Sequence, residues 1–273
     1  MRSRSALLLA ATTSAATLAG LSLTAPADAT HAWGSYHWAR TANPFTLTVG
    51  NNVTSGWDAA LDTSVTDWGA SSVMNLVEGT GGTTARKCRA VAGTVQVCNA
   101  AYGSNGWLGL ATITITGGTH ITSGTAKMND SYFSTSKYNN PNEKLHVMCQ
   151  EVGHTFGLGH TSEDGSSQNT CMDYFSNTGA NAGSTTSTHP NSHDYAMLES
   201  VYAHLDSTST VGATTASTPS VGEDRATWGR EVHRAADGSH SLFVRDLGRG
   251  SLVVTHVTWA LDRQAAGRAR HGE

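Results

Sequence analysis

An α+β fold is predicted by two patterns in the chain and one kind of boundary between them. Three segments carry apolar residues three or four apart, the period of a helix with one buried face. Several others alternate apolar and polar residues over five to ten positions, the period of a half-buried strand. Glycine-containing turns separate the alternating runs, and the chain carries 29 glycines.

The elements follow in order. Phe45, Leu47 and Val49 alternate with Thr and Gly and predict a strand. In NVTSGWDAALDTSVTDWGASS, Trp57, Leu61, Val65 and Trp68 form one helical stripe, with Thr54 or Ser55 as N-cap. Ser72 to Val77 predicts a strand, and 79–87 a Gly/Thr loop. VQVCNA, GWLGLATITIT and HITSGTAKMN predict further strands between Val95 and Asn129. EKLHVMCQEVGHTF, 143–156, predicts the second helix, with Leu145, Met148, Val152 and Phe156 on one face and Gly157 and Gly159 ending it. NSHDYAMLESVYAHL, 191–205, predicts the third, with Tyr195, Leu198, Tyr202 and Leu205 inward. A Thr/Ser-rich linker, 207–220, leads to a small β-rich unit, 221–273, with strands in TWGREVHR, SLFVRDL and SLVVTHVTWA and a basic tail, RQAAGRARHGE.

Residues 1–29 are read as a secretory signal peptide: Arg2 and Arg4, an Ala/Leu-rich run, then Ala27-Asp28-Ala29 as cleavage site. The run is short, diluted by Thr and Ser and closed by Pro26, which argues against an anchor. The product is expected to be extracellular, without a membrane span, and monomeric. A net charge of −4 and no Lys/Arg block argue against nucleic acid as partner. Four cysteines behind a signal peptide predict disulfides, paired in sequence order as Cys88–Cys98 and Cys149–Cys171. The second would close a loop of ~20 residues, worth roughly 3 kcal/mol. The rival role for Cys149 is a metal ligand.

The chemistry concentrates in CQEVGHTFGLGH, Cys149 to His160. Zinc takes three protein ligands and leaves one position for a water, whose pKa falls to about 7. Residues 150 and 154 share a helix face, Glu151 lies beside them as a general base, Gly157 allows a sharp turn, and His160 can return as a ligand.

These residues resemble the extended zinc motif of the metzincins, the clan of zinc endopeptidases that includes matrixins and astacins. CMDY places Met172 twelve residues after His160, like a metzincin Met-turn, and Tyr174 matches the Tyr of astacin-like members. Thr161 is closer to matrixins. The resemblance covers about 31–206 and implies a zincin-type catalytic domain, 30–206, with a twisted mixed sheet and three main helices. It also implies a zinc cofactor, Tyr174 steadying an oxyanion, a peptide substrate laid antiparallel to the edge strand near 107–113, and a specificity pocket shaped by 177–190. No organic cofactor is expected. Nothing resembles the Cys-containing latency switch of matrixins.

Gln150 departs from the motif, where a histidine is expected. It coordinates zinc with His154 and His160 through its amide oxygen, or Tyr174 completes the set, or no metal binds. The first makes the chain a zinc endopeptidase; the last makes it an inactive peptide- or protein-binding module. His146 lies ~12 Å along the helix axis from His154, too far to share a metal. His189, His193 and His204 read as surface or capping residues. Trp33, Trp38, Trp57, Trp68, Met128 and Met148 read as packing. Glu163, Asp164 and Asp130 are the only hint of calcium, and scattered loop carboxylates are ordinarily solvated.

Overall fold

The computed structural model describes residues 31–260 apart from Ala216, Ser217 and Ser220. The expected signal peptide and the tail 263–273 lie outside the described residues. The fold of the described residues is a mixed α+β one. Its nine strands are β1 (His37–Trp38), β2 (Phe45–Asn52), β3 (Met74–Thr80), β4 (Val95–Ala100), β5 (Trp107–Thr116), β6 (His120–Asn129), β7 (Arg230–Arg234), β8 (His240–Gly248) and β9 (Ser251–Trp259). Its four α-helices are α1 (Asp58–Trp68), α2 (Asp130–Phe133), α3 (Pro141–His154) and α4 (Ser192–Val201). No helix among the described residues is long and apolar enough to cross a membrane.

The strands form one sheet in the order β3-β2-β4-β6-β5-β9-β8-β7, with β1 paired to β6. Pairing is parallel from β3 to β6 and antiparallel from β6 to β7. The three C-terminal strands therefore continue the sheet of the first half. The strand expected to receive a substrate near 107–113 is an interior strand here: β9 pairs with it from Trp107 to Ile115. A segment of the same chain held nearby has a large effective concentration at such an edge, and VVTHVTW has the alternation to fill it.

Helix boundaries are set by local hydrogen bonding. The expected cap at Thr54 or Ser55 is not used, and α1 starts at Asp58 with Trp57 in the N-cap position and no side-chain cap. Thr54 is committed elsewhere: its N–H donates to Asn99 Oδ1 at 2.7 Å, and its hydroxyl accepts from Asn99 Nδ2 at 3.0 Å. In α3, Asn140 Oδ1 accepts the Glu143 N–H at 2.8 Å and Pro141 supplies the first turn, so the helix runs 141–154 rather than the expected 143–156. In α4, Asn191 and Asp194 form a capping box. This helix stops at Val201, and Leu205, expected inward, is 55% exposed. The chain turns away at Tyr202, whose buried hydroxyl accepts the Trp38 N–H and donates to the Phe156 carbonyl. The first part of the expected linker is docked as well: Thr210 N–H bonds the Ala39 carbonyl and Gly212 N–H the Gly93 carbonyl, each at 2.9 Å.

One apolar core lies between the sheet and the helices and includes Trp38, Trp68, Val97, Ile113, Val152, Phe156, Leu198 and Val254. The other face of β5 and β9 carries a second cluster, in which Tyr102, Trp107 and Leu110 meet Trp228, Phe243, Val257 and Trp259. β9 thus contributes to both. Gly157, just past α3, has φ +90°, and a Cβ there would overlap the Tyr36 carbonyl oxygen. Gly157→Ala is expected to lower stability by roughly 3 kcal/mol through the left-handed backbone and the overlap. An unchanged urea midpoint would show that the turn tolerates a side chain.

Candidate metal centre

The site is assembled where the end of α3, the loop after it and β9 meet. His154 is the last residue of α3, and its Nδ1 lies 2.8 Å from the Leu158 carbonyl. A carbonyl only accepts, so Nδ1 carries the proton and Nε2 keeps its lone pair. The turn at Gly157 brings His160 back toward that lone pair, their rings 4.6 Å apart. Thr161 N–H donates to the Met172 carbonyl at 2.8 Å, which fixes the chain immediately after His160. The third imidazole comes from β9. His256 lies 4.0 Å from the His154 ring and 4.8 Å from that of His160, between centroids.

The ligand atoms of His154, His160 and His256 all lie within 4.8 Å of one another. The Nε2 atoms of all three are buried without a hydrogen-bond partner. Three buried, converging ring nitrogens with no hydrogen-bond partner are what a cation site presents. Burial holds His154 and His160 well below the usual histidine range, with the neighbouring imidazoles adding to the effect, and brings His256 down to about 3. All three are neutral near pH 7, as ligation requires. The outer contacts are also those of a metal site: a backbone carbonyl on His154 Nδ1, and the Glu151 carboxylate 3.1 Å from His256 Nδ1. The Trp33 ring stacks on His154 at 4.7 Å and 9°.

Glu151 is fully buried. Besides His256, it accepts the Thr258 hydroxyl at 2.6 Å and a backbone hydrogen bond from Ala111. Burial pushes its carboxyl up to about 7, against the pull of His154, Thr258 and Ala111. Gly109 makes room for it, since a Cβ on that residue would overlap the Glu151 carboxylate. The sheet register places Gly109, Thr258 and His240 in one row, and Ala111, His256 and Leu242 in the next.

Gln150 lies at the same junction with both ends of its amide in use. Nε2 donates to the carbonyls of Cys171 at 3.0 Å and Asp173 at 2.8 Å, on either side of Met172. Oε1 accepts the Thr258 hydroxyl at 3.1 Å and lies 3.3 Å from His240 Nε2. The Gln150 amide, expected to offer its oxygen to a metal, is here hydrogen-bonded at both ends and braces the Met172 turn, while a third imidazole, His256, comes from β9. Met172 is fully buried. Tyr174 is buried, stacked on His240 at 3.8 Å and edge-on to His160 at 4.3 Å. Burial, with Glu163 and Asp237 nearby, raises its hydroxyl above the usual phenol range. A cleft of about 210 Å³ reaches the site between His160, Tyr174, His256, Glu163 and His233.

The disulfides are Cys88–Cys98 and Cys149–Cys171, with no free cysteine among the described residues, so Cys149 is no ligand. Such pairing suits an oxidising compartment. The three carboxylates considered for calcium are dispersed: Asp130 accepts from Trp57 and Asn99, Asp164 from Ser162 and Ser166, and Glu163 pairs with His233. His146 is a core residue and His189 bonds Asp67 at the surface. Two further groups, His31/His193/Asp194 and His37/His204/Asp206, have spacings that could hold a metal ion.

Sequence reasoning missed His256, His240 and Thr258. A signal was present: His256 and Thr258 share a strand face with Val254 in a run whose flanking Val and Trp residues demand burial, and polar groups on a buried face need partners. No family model matches the chain, and no curated protein matches it either. Thr258→Val removes the one hydroxyl serving both Gln150 and Glu151. It is expected to destabilise the fold by about 1–3 kcal/mol, read from denaturant unfolding.

Proposed function

We propose that the protein is a secreted zinc-dependent endopeptidase held closed by its own C-terminal strands. One observation carries this reading. Every side-chain partner of Gln150 Oε1 and of the Glu151 carboxylate comes from β8 or β9: Thr258, His240 and His256. The same β9 covers β5, the strand that the metzincin resemblance assigns to substrate. A single unit thus masks the edge, the general base and the metal position together, as an inhibitory segment must.

The residues fit a zinc site, with His154 and His160 from the peptidase-like half and His256 from the covering strand. Zinc there would supply a Lewis acid that activates water and polarises a carbonyl. Withdrawal of β8 and β9 bares the Glu151 carboxylate, which then takes a proton from the attacking water and passes it to the leaving amine. It also leaves Gln150 Oε1 without its Thr258 and His240 partners, so that Gln150, His154 and His160 would hold zinc in the opened form. β5 then pairs with the peptide backbone, and the Tyr174 hydroxyl donates to the developing oxyanion.

The reading is tested by cutting the chain between 214 and 221 and removing the released strands before assay. The intact protein should leave an unfolded protein substrate uncut. The cut form should cleave it, and both a chelator and Glu151→Ala should abolish that cleavage, a loss of at least about 100-fold. A zinc-loaded cut form that binds peptides without cleaving them would favour the binding module instead.

A further inference from the structure

We infer that the protein holds a second, purely structural zinc ion between His37, His120, His204 and Asp206. These residues come from three separate stretches of the sequence and have no part in the peptidase reading. His37 lies on β1, His120 opens β6, and the parallel pairing of these strands sets the two residues side by side. His204 and Asp206 follow α4, and the docked chain beyond Tyr202 carries them onto β1.

The ligand atoms of His37, His204 and Asp206 all lie within 4.8 Å of one another, and His120 adjoins the same carboxylate oxygen. Asp206 Oδ1 lies 3.4 Å from His37 Nε2, 3.3 Å from His120 Nε2 and 3.7 Å from His204 Nε2. His204 Nε2 lies 3.2 Å from His37 Nε2. Ligands bound tetrahedrally to zinc at about 2.0–2.1 Å stand about 3.3 Å from one another. The four separations straddle that value.

Protons alone do not satisfy the cluster with neutral imidazoles. His37 Nδ1 lies 2.7 Å from the Ser35 carbonyl, which only accepts, so Nδ1 carries the proton of the neutral ring and Nε2 its lone pair in that tautomer. That lone pair faces both the carboxylate oxygen and His204 Nε2. A proton on His204 can meet His37, and one on His120 can meet Asp206, but the His37–Asp206 contact is left with two acceptors. A divalent cation satisfies all four atoms at once.

The surroundings are arranged for such a site. The other carboxylate oxygen of Asp206 is taken by Arg40, through its guanidinium and its backbone N–H, each at 3.1 Å. Arg40 is itself buried and bonds the Tyr202 carbonyl at 2.7 Å, so Asp206 is held with Oδ1 toward the imidazoles. The Ser35 carbonyl does the same for His37, the outer contact that fixes a metal-binding histidine. Imidazole nitrogens with one carboxylate oxygen make a zinc-type donor set, with His37, His204 and Asp206 as its core and His120 beside Asp206 as the fourth donor. His204 and His120 are partly exposed, which leaves a path for the ion to enter. The ion would clamp β1, and with it the chain that runs past Trp33, to the end of α4.

The test is the zinc content of the full chain. Protein purified without chelator or metal-affinity steps is saturated with zinc, desalted and analysed by mass spectrometry of the metal, with His204→Ala and His154→Ala alongside. His204 is largely exposed, and its replacement should leave folding intact; Asp206→Asn serves as a second probe of the same site. The expected result is two zinc ions per wild-type chain, one lost in His204→Ala and in Asp206→Asn, and the other lost in His154→Ala. If His204→Ala and Asp206→Asn both retain the wild-type zinc content, the second site does not exist. One zinc in the wild type, lost in His204→Ala and kept in His154→Ala, would uphold this site and remove the metal from the peptidase reading. One zinc lost only in His154→Ala would do the reverse.

Discussion

The hydrogen-bonded ladder between β5 and β9 is the constraint on which the rest depends. Through it His256 and Thr258 lie over α3, and through it the fully buried carboxylate of Glu151 obtains two of its three donors. A buried carboxylate and a cluster of three buried imidazoles each carry a desolvation cost of several kcal/mol in order of magnitude, about what burial of unpaired polar groups costs. Both are accepted because the strand supplying the donors also buries Val254 on one face of the sheet and Val257 and Trp259 on the other. Apolar burial holds the strand in place, and the polar residues on its inner face determine what the site can do while it stays there.

Gln150 makes sense in this setting. A histidine at its position could not donate to two carbonyls at once, whereas an amide nitrogen can. It ties α3 to both sides of Met172, beside the Cys149–Cys171 bridge that joins the same two segments. Its amide oxygen meets Thr258 and His240 from the C-terminal strands, so Gln150 also joins α3 to the strands that bring His256 to the site.

Much of this was legible from local pattern. The stripes of Trp57–Trp68 and Leu145–Phe156 gave α1 and α3, the alternation of VQVCNA and GWLGLATITIT gave their strands, and sequence order gave both disulfides, because each depends on neighbours in the chain. Boundaries were less legible, since Thr54 and Tyr202 are committed to partners far away in sequence. His256 was out of reach for the same reason: a strand's alternation says that a residue faces inward but not which helix it faces. His204 was read as a surface residue from its place at a helix end, and only the docking of the following chain on β1 reveals its neighbours.

The most direct measurement is hydrogen exchange of the intact protein, resolved to the peptide covering 252–259. Strand β9 has neighbours on both sides and sits between two apolar clusters, so its amides should exchange as slowly as those of β6, through opening of the whole fold. Rapid exchange in β9, with β6 still protected, would mean that the strand does not occupy the edge. His256 would then not complete the site, and the closed centre described above would not be the resting state of the molecule.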